Sequence, residues 1–128
     1  MILLLDTHVA LWAIADDPKL SPEARKLLLE PENTLWVSAA SVWEIAIKHA
    51  LQRGDMPISG ESAISYFRAS GYRILPIEAE HAAAVENLPM HHADPFDRLL
   101  IAQSRVGNMW LVSHDEKVAR YGDPVIVV

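Results

Sequence analysis

Short apolar runs recur along the chain without polar alternation: Ile2-Leu3-Leu4-Leu5, Thr34-Leu35-Trp36-Val37, Tyr72-Arg73-Ile74-Leu75, Met109-Trp110-Leu111-Val112 and Val125-Ile126-Val127-Val128. A strand with one wet face alternates, whereas a strand covered on both faces does not, so these runs predict buried strands of a parallel sheet. Between them lie segments with helical spacing: His8 to Ala15, Pro22 to Leu29 behind the start signal Ser21-Pro22, Ala40 to Leu51, Gly60 to Ala69, Ala79 to Asn87, Pro95 to Val106, and a short one after Asp115. Turn-forming residues fall between the elements, as in Asp16-Asp17-Pro18, Arg53-Gly54-Asp55, Gly107-Asn108 and Gly122-Asp123-Pro124. Strands alternating with helices predict right-handed βαβ units and a parallel α/β sheet. The most irregular stretch, LPMHHADP from Leu88 to Pro95, is a candidate for function carried on a loop.

With 128 residues, 51% of them hydrophobic, the chain suffices for one domain with a continuous core, expected over residues 1–128. It has no apolar run of about 18 residues and no basic leader, which predicts a soluble, intracellular protein without a membrane span. No cysteine is present, so disulfides, thiolate metal sites and cysteine nucleophiles are excluded. The formal charge of -6 argues against generic phosphate binding, which draws on Lys and Arg. Acids clustered around divalent cations give the same balance, because bound metal reverses the local field.

In open parallel sheets ligands sit outside the carboxyl ends of the strands. Four acids belong to that edge: Asp6 after the first strand, Glu44 early in the helix after the second, Asp97 at the start of DPFDRLLIAQS, and Asp115 in SHDEK. Each also has an ordinary helix-capping explanation. Ser41-x-x-Glu44 matches a capping box, Asp94-Pro95 an N-cap followed by proline, and Asp6 and Asp115 precede helices. Their convergence is what points to chemistry. Carboxylates gathered at one edge repel one another unless a divalent cation joins them, and hard Mg²⁺ or Mn²⁺ prefers such oxygens. One or two cations held this way activate water and stabilise the leaving oxygen in phosphodiester hydrolysis.

These segments, LLLDTHVALW, SAASVWEIAIK, HHADPFDRLLIAQS and LVSHDEKVARYG, in that order, resemble the PIN-domain ribonucleases, and among them the VapC-type toxins of toxin–antitoxin pairs. The resemblance spans the chain. It implies a three-layer α/β/α domain, an Mg²⁺- or Mn²⁺-dependent endoribonuclease acting in the cytoplasm, a homodimer, and a cognate antitoxin that covers the acidic groove. Matched motif by motif, it assigns Asp6, Glu44, Asp97 and Asp115 as catalytic metal ligands, with Asp94 assisting or capping. Ser113 stands where many relatives carry threonine and keeps the hydroxyl, and Ser104 replaces a frequent alanine.

Around that set, Thr7 and Ser38 are candidates to orient carboxylates or to cap helices. His8 is a candidate for substrate contact or a structural hydrogen bond, while His114 reads as exposed. His91 and His92 lack the spacing and thiolate companions of a zinc site. Candidates for gripping RNA are Lys48, Arg53, Arg98, Arg105, Lys117 and Arg120; Arg98 suits a phosphate contact or an ion pair, and Lys48 an i, i+4 salt bridge with Glu44. Trp36, Trp43 and Trp110 are expected to be buried, and Trp12 to lie at an interface. Two readings compete with the nuclease. One is a phosphohydrolase or phospho-accepting receiver built on Asp6, against which His8 stands where a second acid is needed; the other is a catalytically silent binding module of the same fold.

Overall fold

A computed structural model describes residues 1–52 and 55–128; Arg53 and Gly54, and with them the predicted turn and the RNA contact assigned to Arg53, lie outside the described residues. The chain runs β1 (Ile2–Leu5), α1 (Thr7–Ala15), α2 (Pro22–Leu29), β2 (Thr34–Ser38), α3 (Ala39–Ala50), α4 (Gly60–Ala69), β3 (Arg73–Leu75), α5 (Ala79–Ala84), α6 (Pro95–Val106), β4 (Trp110–Ser113), α7 (Glu116–Ala119) and β5 (Val125–Val127). The strands form one parallel sheet in the order β3-β2-β1-β4-β5.

The sheet is covered on both faces, which explains the unbroken apolar runs. On β1, Leu3 and Leu5 point into a core built with Val9, Ala24, Ile45, Ala63 and Phe67 from α1 to α4. Leu4 points the other way, into a core built with Leu100, Ile101, Val118 and Tyr121. All three leucines are 0% exposed. This is the expected α/β/α layering. The helix expected over Ala79 to Asn87 divides into α5 and a 3₁₀ turn at Val85–Asn87, a tightening common at helix ends, here just before Pro89.

Topology places the site. After β3 the chain crosses back over β2 and β1 to lay down β4 on the far side, so the strand order reverses between β1 and β4. At that point loops diverge to opposite faces and leave a crevice beyond the carboxyl ends of the strands. Asp6 leaves β1 there, its main-chain NH donating to Val112 of β4 at 3.0 Å.

Candidate active site

Two of the four acids, Asp6 and Asp115, cap helices as well as facing the crevice, and Asp94 caps the helix that carries a third, Asp97. Asp6 caps α1, its Oδ1 accepting from the Val9 amide at 2.8 Å, and its Oδ2 accepts from the Ser113 hydroxyl at 2.6 Å. Asp94 caps α6, Oδ1 accepting from the Asp97 amide at 3.0 Å, which sets Asp97 in the first turn. Asp115 caps α7 through the amides of Lys117 and Val118. Glu44 sits deeper in α3, buried, with Oε1 accepting from Thr7 at 2.7 Å and Oε2 paired with Lys48 at 2.6 Å.

These groups line one small cavity of about 160 Å³, whose walls are Asp6, Thr7, His8, Glu44, Lys48, His92, Asp94, Asp97 and Asp115. Side chains up to 109 residues apart in sequence therefore share one chamber. Within it His92, Asp97 and Asp115 offer ligand atoms that all lie within 4.8 Å of one another. Asp6 and Glu44 stand outside that tightest group but on the same walls.

Burial and crowding show in the acidities. Burial pushes the Asp6 carboxyl above its ordinary value, against the lowering effect of the Ser113 hydrogen bond. Asp97 is pushed up to about 6, chiefly by burial and further by the charges of Asp94 and Asp6, while its 2.7 Å hydrogen bond to His92 Nε2 opposes the rise. A site that raises carboxylate pKa values in this way is one that a cation relieves. The donor set, rich in carboxylate oxygens with one imidazole, fits a divalent ion.

The sequence profile of the PIN domain matches residues 3–124. This chain belongs to the PIN-domain family. Within it, the chain is of VapC type: it is 31% identical over 123 residues to the ribonuclease VapC22 of Mycobacterium tuberculosis, covering 95% of this chain and 93% of that one. Among solved structures, VapBC2 of Rickettsia felis, bound to a DNA fragment from the promoter, matches this fold with a TM-score of 0.69 at 19% identity, over 100% of this chain and 98% of that one. VapC20 of M. tuberculosis, a sarcin-ricin loop cleaving toxin, matches with a TM-score of 0.65 at 16% identity, over 94% and 95%. PIN nucleases use divalent metal, and the carboxylate chamber is where this PIN domain has the donors for it.

Several assignments change once the PIN fold is in place. Arg98 does not face the chamber. Its guanidinium, 7% exposed, donates to the main-chain oxygens of Val85, Leu88 and Pro89 and to the Tyr121 hydroxyl, so it makes neither a phosphate contact nor an ion pair with Asp97. Ser38 is also absent from the chamber; it caps α3 through the Ala40 amide at 2.9 Å and donates to Gln103 Oε1 at 2.6 Å. Because Ser38 is the cap, Ser41 is not, and the capping box expected from Ser41 and Glu44 does not form. Ser41 instead shares a 2.8 Å hydrogen bond with the Thr7 hydroxyl behind Glu44. Thr7 keeps its orienting role, and Lys48 its salt bridge.

Trp43 is 56% exposed, packed edge-on against Phe96 at 5.1 Å, because the buried side of α3 is taken by Glu44 and Ile45. Trp36 and Trp110 are half-buried as part of the core edges. His92 and Ser113 are the contributors to the site whose contacts sequence reasoning missed. The signal for His92 was the irregular loop itself; its neighbour His91 turns away and packs edge-on against Tyr121 at 5.0 Å.

Proposed function

We propose that this PIN domain is an endoribonuclease that acts with Mg²⁺ or Mn²⁺ in the cytoplasm, as the toxin half of a toxin–antitoxin pair and as a homodimer. The observation that carries the reading is the meeting of Asp6, Glu44, Asp97 and Asp115 in one chamber at the switch point of the sheet. Identity to a ribonuclease VapC supports RNA as the substrate, and fold neighbours solved as VapBC complexes support an antitoxin partner.

Asp97, Asp115 and Asp6 would hold the cation, which supplies an activated water and charge stabilisation at the phosphate. The chain's own work is positional. Ser113 and the Val9 amide fix both oxygens of Asp6, His92 aims Asp97, and Thr7 with Lys48 fixes Glu44. Such supports keep the donors within the small tolerance that chemistry at a phosphate requires. Glu44 carries Lys48 as its partner, so it fits a role through water better than direct ligation. Membership of the PIN family displaces the phospho-acceptor reading, and a buried Asp6 with both oxygens hydrogen-bonded is poorly placed to attack a phosphate.

The test is cleavage of a mixed RNA by purified protein. Metal-dependent cutting is expected, abolished by chelator and falling to background in Asp6→Asn and in Asp97→Asn, with both variants still unfolding cooperatively. Equal cutting in excess chelator, or unchanged rates in both variants, overturns the reading.

A further inference from the structure

The chamber adjoins a wider cavity of about 480 Å³. The two share Asp6, His8, His92 and Asp115, and the wider one continues along Trp12, His114, Glu116 and Lys117. Trp12 stands one turn after His8 on α1, with ring centroids 5.9 Å apart, and meets the His114 imidazole edge-on at 5.5 Å and 73°. His114 is held in turn by a 2.6 Å hydrogen bond between Nδ1 and the Val128 main-chain oxygen. Trp12 also packs against the core. Its ring is thus fixed from behind and forms a wall of the groove.

We propose that this groove is a nucleobase subsite, in which Trp12 stacks on the base of an unpaired nucleotide adjoining the phosphate held in the acidic chamber. The proposal rests on the nuclease reading for its substrate and adds where the substrate's base goes. With a formal charge of -6, the chain as a whole offers little counterion release by basic groups. Along the groove Lys117 is offset by its neighbour Glu116, and Asp6 and Asp115 add negative charge. Phosphate finds no net attraction there, but the uncharged face of a base does, between an indole and imidazoles. Paired bases hide that face, so the subsite selects single-stranded RNA. Trp43, although exposed, lines neither cavity, and Trp36 carries the Arg73 guanidinium over its ring.

Two measurements test this. In magnesium buffer, adenosine 5′-monophosphate should quench the intrinsic tryptophan fluorescence saturably, while ribose 5-phosphate should not. Trp12→Phe should lose the quench although Trp36, Trp43 and Trp110 remain. On a single-stranded oligoribonucleotide, Trp12→Leu should lose about 5- to 150-fold in kcat/KM, the worth of one base–aromatic stack, mostly as a raised KM. Trp12→Phe should retain most of the wild-type value. Quenching that survives in Trp12→Phe, equal quenching by ribose 5-phosphate, or an unchanged KM in Trp12→Leu overturns the proposal. If Trp12→Leu does not fold, the quenching comparison decides alone. Base-dependent quenching in a wild type that cuts no RNA removes the nuclease reading and leaves the subsite standing. RNA cleavage indifferent to Trp12 does the reverse.

Discussion

Asp97 is where burial, crowding and chemistry meet in one residue. Its pKa of about 6 against an ordinary 3.8 means that the folded chain binds this proton more tightly than the unfolded one. The contribution therefore favours the fold below about pH 4, declines as pH rises to about 6, and is constant above that. In chelator, Asp97→Asn is expected to gain stability relative to wild type as pH is raised across that window, read as the difference in Tm. The affinity for Mg²⁺ or Mn²⁺, measured by titration calorimetry, should weaken as pH drops through about 6, because proton and cation compete for the same carboxylate; an affinity flat from about pH 5 to 8 counts against Asp97 as a ligand. Arg98 illustrates the opposite outcome. Adjacent to Asp97 in sequence, it projects into the protein, and Arg98→Ala should cost about 1–3 kcal/mol in urea denaturation by stripping partners from buried carbonyls. Nothing in the DPFDR string distinguishes the two charges; the side each faces is set by what packs around α6.

Among the elements, the helix starts explain why ordinary capping signals were also site signals. An N-cap acid must sit where a strand has ended and a helix begins, which in a parallel sheet is the ligand-binding edge. Both descriptions of Asp6 and Asp115 hold at once. Ser38 is a cap without a site role: Ser38→Ala should cost about 1–2 kcal/mol by chemical denaturation, with cleavage by the folded fraction unchanged. The contact of α3 with α4 rests on Gly60, where an added Cβ would meet the Ala46 Cβ at 2.9 Å and the Val42 carbonyl at 3.3 Å. Gly60→Ala should thus destabilise by about 1–3 kcal/mol, overriding the smaller helix-propensity gain of alanine. A higher urea midpoint for that variant would show that the two helices separate freely.

For the whole molecule, a divalent cation that binds only the folded chain should raise its stability. A concentration a hundred times the Kd corresponds to about 2.7 kcal/mol, seen as a raised Tm that is lost in Asp97→Asn. The strands, the helices and the parallel class were legible in sequence because burial on both faces leaves continuous apolar runs, and the edge acids were legible because βα junctions are local. What the chain alone did not disclose was orientation. His91 and His92, or Asp97 and Arg98, are adjacent in sequence yet face opposite ways, and Trp43 projects from α3 while Ile45 is buried. Local pattern specifies elements through backbone and hydrophobic periodicity. Which of two neighbouring polar side chains enters a chamber depends on contacts between segments far apart in the chain, and those exist only once the sheet has closed around β1.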